Sequence, residues 1–148
     1  MSLSLRAACP DDLHDLARMN KQLIEDEGSE NPMDLNALQD RIKGWMSGDW
    51  QIDLLAASGA VVGYAVYRFR SHPYAEDARE VYLRQYFIRR DCRRAGYGLQ
   101  GIELLCSERF QGAETVVVDV LAGNAAGLTF WDKAGFATFV LTKRRKLD

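Results

Sequence analysis

Residues 87–98 read Phe87-Ile88-Arg89-Arg90-Asp91-Cys92-Arg93-Arg94-Ala95-Gly96-Tyr97-Gly98. The β-branched and aromatic run 79–88 predicts a strand, and an apolar stripe over residues 97–110 predicts a helix. The segment is therefore expected to form a strand, a glycine-containing turn and a helix N-terminus. Free N–H groups and the helix dipole at such a start favour an anion, and glycines let a ligand approach the backbone. A phosphate or pyrophosphate is the expected guest.

The turn also carries four arginines, Arg89, Arg90, Arg93 and Arg94. It lacks the GxxxxGK[ST] spacing of a nucleotide-binding P-loop. It also lacks the GxGxxG dinucleotide fingerprint, because Gly101 is out of register. The turn alone leaves two interpretations open, an anion site and a solvated arginine-rich helix start.

The flanking sequence predicts a mixed α/β fold with the element order β-α-α-β-β-β-α-β-α-β. Strand–helix–strand units imply parallel pairing, whereas the tight Ser58-Gly59 link predicts an antiparallel hairpin. Asp34 is expected to cap the second helix, with Leu35 on its inner face, and Leu99 and Cys106 are expected on the inner face of the third. Strands are predicted at 3–7, 51–57, 60–70, 79–88, 115–121 and 136–145, a loop at 71–77, and helices from Pro10 to about 28, from 34 to 48, over 97–110 and from Asn124 to Gly135.

The composition of the chain argues against several classes of protein. The chain has 148 residues, 47% hydrophobic and 27% charged, with a formal net charge of −2, which fits one soluble domain over residues 1–148 and argues against a general nucleic-acid binder. The three widely spaced cysteines and the two histidines do not have the spacing of zinc ligands, so no bound metal is expected. The cysteines are expected to be reduced thiols. No secretory or membrane-spanning segment is recognised, so a cytoplasmic location without membrane partners is predicted.

Two motifs resemble those of one enzyme family. Arg93-Arg94-Ala95-Gly96-Tyr97-Gly98 matches the R/Q-x-x-G-x-G/A signature of the GNAT superfamily of N-acetyltransferases. Residues 124–136, NAAGLTFWDKAGF, resemble that family's second motif, N-x-x-A-x-x-φ-Y-x-K-x-G-F. The opening residues 5–13 are also similar to the usual start of the family, so the resemblance covers nearly the whole chain. It implies the GNAT fold, a mixed, mostly antiparallel sheet flanked by about four helices, with acetyl-CoA bound between splayed central strands.

The resemblance also implies roles for individual residues. Backbone groups of Tyr86, Phe87 and Ile88 would pair with the pantetheine arm of CoA, and the Tyr86 N–H would serve as a one-donor oxyanion hole. The second motif would contribute Gly127 and Trp131 to the cofactor site. Residues Arg93, Arg94, Ala95, Gly96, Tyr97 and Gly98 would hold the pyrophosphate, Asn124 would contact the pantetheine arm, and Lys133 would meet a CoA phosphate or be a solvated helix lysine.

The residues that would transfer protons are less clearly indicated by the sequence than the cofactor-binding residues. Many family members protonate the leaving thiolate with a tyrosine, but Trp131 stands at that position and is interpreted as a wall of the channel. Tyr86 and Tyr97 are weaker substitutes as acids. For the base, Glu80, Tyr82 and Arg84 share one strand face by period two. Glu80, acting through water, is preferred here, with Tyr82 as its rival. The structural alternatives for Glu80 are an ion pair with Arg84 and a solvated strand end.

The acidic segment 25–33 is expected to attract a cationic acceptor through Glu25, Glu27 and Glu30, although a solvated helix end is the alternative. The resulting hypothesis is an acetyl-CoA-dependent N-acetyltransferase that moves an acetyl group to a small-molecule or peptide amine by direct attack in a ternary complex. The alternative is a non-catalytic acyl-CoA-binding sensor. A nucleotide-phosphate binder ranks third. Because the family often dimerises, a homodimer is also expected.

Overall fold

A five-stranded sheet in the order β1-β2-β3-β4-β5 forms the centre of the protein, in a computed structural model that describes residues 2–148. The first four strands pair antiparallel, and β5 pairs parallel with β4. The mixed α/β fold class is therefore confirmed. The elements are β1 Leu3–Ala7, α1 Leu13–Glu27, α2 Leu35–Met46, β2 Gln51–Ala57, β3 Ala60–His72, β4 Ala75–Ile88, α3 Tyr97–Glu108, β5 Thr115–Val117 and α4 Ala125–Lys133, with 3-10 turns at Pro10–Asp12 and Arg90–Cys92.

The β2–β3 hairpin forms as predicted. Ser58 and Gly59 both have left-handed backbone, with φ of 53° and 78°, as a two-residue hairpin turn requires. The predicted loop at 71–77 is wrong, because β3 and β4 continue pairing until Ser71 lies opposite Arg79 and His72 opposite Ala75. Cross-strand pairing extends both strands to the turn, which leaves little loop around Pro73.

Helices cover both faces of the sheet. On one face α1 and α2 pack Leu16, Leu38 and Ile42 against strand residues that include Tyr64 and Phe87. On the other face, α3 contributes Ile102 and Leu105 to a second cluster. Helix boundaries follow local chemistry: the Asp34 carboxylate accepts the Ala37 N–H at 2.9 Å, as predicted, and α1 ends at Gly28 with φ 66°.

Three residues predicted on inner helix faces are instead exposed. Leu35 lies in the first turn of α2, outside the core. Leu99 lies in the first turn of α3 and lines the cleft described below. Cys106 is exposed because the neighbouring Leu105 takes the inward position. Helical periodicity identified the apolar stripes but not which residues at their margins are exposed.

The C-terminal third departs most from expectation. β5 spans Thr115–Val117 rather than 115–121, because beyond Val117 the chain no longer pairs with β4. The strand predicted at 136–145 is not formed: in the described part of the chain, residues 136–148 belong to no helix or strand. These residues have strand propensity, yet a strand needs a neighbour to satisfy its backbone groups, and no neighbouring strand lies beside this segment.

Candidate active site

The divergence of β4 and β5 opens a cleft of about 560 Å³, bounded also by α1, α3 and α4. The Arg89 N–H donates to the Val62 carbonyl of the β3 side at 2.7 Å. Because backbone groups alternate along a strand, those of Phe87 also face β3, whereas those of Tyr86 and Ile88 face the open edge. The Arg93 Nε donates to the Ile88 carbonyl at 2.9 Å, which agrees with this orientation. The cleft thus has an unpaired β-strand edge as one wall.

The turn after β4 leads this edge into the start of α3. Arg94 and Gly96 have left-handed φ values of 68° and 81°, and Gly96 is the N-cap of the helix. The first intrahelical bond runs from the Gln100 N–H to the Gly96 carbonyl at 3.1 Å. The N–H groups of residues 97–99 precede this bond, and all three residues line the cleft. A helix N-terminus suited to an anion therefore lies at one end of the cleft.

The glycines of this region have different physical roles. A Cβ on Gly98 would lie 2.7 Å from the Phe130 ring, and one on Gly101 would lie 2.1 Å from the Tyr86 hydroxyl oxygen. The space beside Gly98, which was expected to admit a ligand, is therefore filled by α4. Gly96 is required for its backbone conformation instead. These small residues let α3 pack closely on α4 and β4.

Most of the turn's arginines are already paired with carboxylates. Arg90 contacts Glu25 and Asp26 at 3.2 and 2.8 Å, Arg93 contacts Asp26 at 2.5 Å, and Arg89 contacts Asp91 at 3.4 Å. Burial works to raise the pKa of Asp26, but the bonds from Arg93 and Arg90 hold that pKa below its usual value. These pairs join the end of α1 to the turn. No ion pair involves Arg94 in residues 2–148.

The three glutamates predicted for the acceptor separate in the structure. Glu27 is half-buried and lines the cleft, and burial together with the neighbouring Asp26 raises its pKa. Glu25 lies outside the lining with Arg90. Glu30 also lies outside it, and contacts Arg144 of the C-terminal segment at 3.4 Å.

The second motif forms the opposite wall. The Asn124 Oδ1 caps α4 by accepting the Gly127 N–H at 3.0 Å, and a Cβ on Gly127 would collide with the Asn124 side chain. The Asn124 Nδ2 makes no hydrogen bond within residues 2–148. Trp131 and Lys133 line the same wall. Of the predicted cofactor residues, the cleft brings together Tyr86, Phe87, Ile88, Arg93, Arg94, Gly96, Tyr97, Gly98, Asn124, Gly127, Trp131 and Lys133, while Ala95 lies outside its lining.

The Tyr86 side chain has a structural role and is not placed to act as an acid or a base. Its hydroxyl donates to the Gly98 carbonyl at 2.7 Å, and its ring contacts Phe130 and Trp131 with centroids about 6 Å apart. Burial raises the pKa of this phenol. The side chain packs the turn against α4, while its backbone faces the open edge.

The two predicted bases have different surroundings. Glu80 is buried, accepts from Arg70 at 2.5 Å and from the Thr115 hydroxyl at 3.4 Å, and lies outside the cleft lining. The Tyr82 hydroxyl donates to Asp119 at 2.7 Å. Burial and the bond to Asp119 raise the pKa of Tyr82 to about 12.

Asp119 is a cleft residue that the sequence analysis missed. Its signal is present in the sequence, since it is the one charged residue in the apolar run TVVVDVL at 115–121. A carboxylate in such a run is costly unless it is solvated or bonded, which makes it a candidate for function.

Other chemistries have little support in the described residues. No group of three or more His, Cys, Asp or Glu side chains within residues 2–148 is arranged to hold a metal ion. The three cysteines are free thiols. In the same residues, no helix combines the length and apolar character needed to cross a bilayer.

Comparison with known proteins agrees with this geometry. A family model described as Acetyltransferase (GNAT) family matches residues 12–136. A search of curated proteins finds no significant match. Among solved structures, the fold is similar to those of three bacterial proteins. They are a possible acetyltransferase from Clostridium difficile 630 (TM-score 0.77, 14% identity, 100% of both chains), a ribosomal-protein-alanine N-acetyltransferase from Brucella melitensis biovar Abortus 2308 (0.78, 11%, 99% and 100%) and a predicted acetyltransferase with acetyl-CoA from Clostridium acetobutylicum (0.74, 16%, 98% and 96%).

Proposed function

The chain belongs to the GNAT family of acetyltransferases, and we propose that it moves an acetyl group from acetyl-CoA to a primary amine of a small molecule or peptide by direct attack. The observation that carries this proposal is the unpaired edge of β4 leading into the N-terminus of α3 along one cleft. A strand edge suits an amide-containing arm, and a helix N-terminus suits a diphosphate. Acetyl-CoA combines both groups.

The residues present fit this cofactor. The N–H groups of residues 97–99 and the unpaired Arg94 would hold the pyrophosphate. Tyr86 and Ile88 would offer backbone groups to the pantetheine arm, with the free Asn124 Nδ2 opposite. Trp131 would wall the channel, and Lys133 would meet a phosphate. When bound, acetyl-CoA supplies an activated thioester carbonyl.

The chain's own groups would then serve the transfer. The Tyr86 N–H, on the open edge, would donate to the acetyl oxygen. Asp119, hydrogen-bonded to Tyr82, would take the proton of the attacking amine directly or through water. This assignment prefers Asp119, which lines the cleft, to Tyr82 and Glu80, which both lie outside its lining, with Glu80 buried against Arg70. The indole of Trp131 is too weak an acid to protonate the leaving group, so no general acid is assigned. The new amide bond would form as the carbon–sulfur bond breaks, and CoA would leave as the thiolate.

An acyl-CoA-binding sensor is the second candidate function. The observation that favours it is Trp131, which packs against Phe130 and Phe136 where many family members carry a tyrosine. Such a protein would bind the cofactor through the same residues and transfer nothing.

We also propose that the protein acts as a homodimer. The open edge of β5 and the exposed apolar C-terminal segment support an association between copies.

Two measurements test the proposed function. Acetyl-CoA should raise the melting temperature, because a ligand that binds only the folded state stabilises it. A panel of primary amines should then release free thiol from acetyl-CoA at rates above the amine-free control. Stabilisation without thiol release from any amine would favour the sensor, and no stabilisation at saturating acetyl-CoA would reject both functions.

A further inference from the structure

Three arginines and two tryptophans alternate beside the cleft, and we call this set the Arg–Trp stack: Arg41, Trp45, Arg84, Trp50 and Arg68. The Arg41 and Arg84 guanidinium carbons lie 4.6 and 4.7 Å from the Trp45 ring centroid. Arg84 and Arg68 lie 5.2 and 4.5 Å from the Trp50 ring centroid. The indole faces hold the guanidinium groups in fixed positions by cation–π contact.

The stack concentrates positive charge without a compensating anion. In residues 2–148, no carboxylate lies within 4 Å of the guanidinium of Arg41, Arg68 or Arg84. This contrasts with Arg90 and Arg93, which are both paired with carboxylates. Burial lowers the pKa of Arg41, and the positive charge of the nearby Arg84 lowers it further.

Two buried donors behind the stack also lack acceptors. The Arg41 Nη2 donates to the Asn20 Oδ1 at 3.0 Å, but the Arg41 Nε and Asn20 Nδ2 are buried and find no hydrogen-bond partner among residues 2–148. Unsatisfied buried polar groups are uncommon and call for an explanation. Both atoms are donors, so the missing partner is a hydrogen-bond acceptor, in keeping with the excess of positive charge beside the cleft.

The stack reaches the cleft through Arg84. Val66 pairs with Gln85 and Tyr67 with Leu83, so Arg84 is the extra residue of a β-bulge, and it lines the cleft with Glu27 and Asp119. Bulges redirect side chains and are frequent beside active sites. The cleft therefore offers a guanidinium and two carboxylates that form no ion pair with one another.

We propose that the acceptor is an amine that also carries an oxyanion, a carboxylate or a phosphate ester, a few bonds from the amino group. Arg84 binds the oxyanion, with Arg41 adding charge behind it, because a guanidinium matches the two oxygens of such a group. Glu27 and Asp119 attract the ammonium end. This inference rests on the proposed acetyltransferase activity and specifies its acceptor class.

Matched acceptors and variants test the proposal. Amino acids are compared with their carboxamides, and phosphoethanolamine with ethanolamine, by thiol release from acetyl-CoA. The same acceptors are titrated by calorimetry into the protein saturated with CoA, which gives a binding readout apart from turnover. The variants are Arg84→Gln and, as the control, Arg18→Gln, which removes an exposed arginine from α1.

At least one anionic acceptor should have a kcat/KM tenfold or more above that of its neutral counterpart. Arg84→Gln should remove this preference by raising the KM of the anionic acceptor tenfold or more, and Arg18→Gln should change neither the preference nor that KM. The preferred pair shows whether the oxyanion is a carboxylate or a phosphate. Equal use of neutral and anionic amines would overturn the inference and leave the acetyltransferase standing. Thiol release from no amine would overturn both.

Discussion

At the scale of single residues, matched substitutions of Gly96 and Gly112 can distinguish the effect of backbone strain from an effect on ligand binding. Both have left-handed backbone, with φ of 81° and 88°, but only Gly96 lies in the cleft. A β-branched residue at either position costs about 1–3 kcal/mol of strain. We expect Gly96→Val to weaken acetyl-CoA binding about tenfold or more, because relief of the strain moves the N–H groups that face the diphosphate.

Gly112→Val is the matched control. No heavy atom of the described residues lies within 4 Å of a Cβ placed there, so the cost of the substitution is conformational only. Both variants should melt at a lower temperature than the parent, and calorimetric titration of acetyl-CoA should distinguish them. Equal affinity of the two variants would remove Gly96 from the cofactor site. Gly98 is unsuited to this test, since a side chain there strikes Phe130.

Asp119 and Glu80 are distinguished by what their neutral amide variants do to turnover. Asp119→Asn should lower kcat about 100-fold, because it removes the group that accepts the proton of the amine. Glu80→Gln should leave kcat nearly unchanged and lower the melting temperature, because it weakens the buried pair with Arg70. If Glu80→Gln loses turnover and Asp119→Asn keeps it, the assignment of the base is reversed.

At the scale of elements, the end of α1 is joined to the cofactor turn through Asp26. Acidic residues at a helix C-terminus oppose the helix dipole, and Arg90 and Arg93 offset that cost here. We expect Asp26→Asn to lower the free energy of unfolding by about 1 kcal/mol at pH 7, since the arginines are half exposed to solvent.

The pH dependence of this loss follows from the lowered pKa of Asp26. The unfolded chain takes up the proton near pH 3.9 and the folded chain at lower pH, so the stabilisation is complete above about pH 4. It disappears as the pH falls through the folded-state pKa. Thermal melts of both proteins should therefore converge in acid. Asp11→Asn, at an exposed position, should match the parent throughout. A pH-independent gap for Asp26→Asn would exclude the ion pairs as its cause.

Elements whose formation depends on local residues could be predicted from the sequence. Elements whose bounds depend on pairing with distant strands could not. The turn and start of α3 were predictable because glycine conformation and free helix amides are properties of residues 93–98 themselves. The lengths of β3, β4 and β5 depend on pairing between distant strands, and so does the cleft, which opens only beyond Tyr82 where β5 diverges. Period two correctly grouped Glu80 with Tyr82. It could not show that the cleft begins one residue later, at Leu83, or that a bulge at Arg84 interrupts the alternation of the residues that follow.

At the scale of the whole molecule, the C-terminal segment leaves large apolar side chains exposed to solvent. Phe139, Val140 and Leu141 are 72%, 69% and 75% exposed. A single exposed apolar residue would need no explanation, but three consecutive ones do. Residues 137–146 contain no Gly, Pro, Asn or Asp that would favour a hairpin back onto β5. The outer edge of β5 is open. A second copy, contributing its own segment to this edge, would pair both strands.

Two lysines in this segment should therefore separate the copies. In an extended strand Phe139 and Leu141 share a face, and burying both would contribute about 3–6 kcal/mol per chain. We expect Phe139→Lys with Leu141→Lys to raise the dimer dissociation constant at least about 100-fold, as measured by sedimentation velocity across a concentration series. Tyr74→Lys is the control, because Tyr74 is 80% exposed in the β3–β4 turn and its replacement places a lysine at an exposed aromatic site outside the segment. A parent protein that sediments as a monomer at 100-fold the concentration needed for assay, or a double variant that associates as the parent does, would show that the segment does not hold copies together.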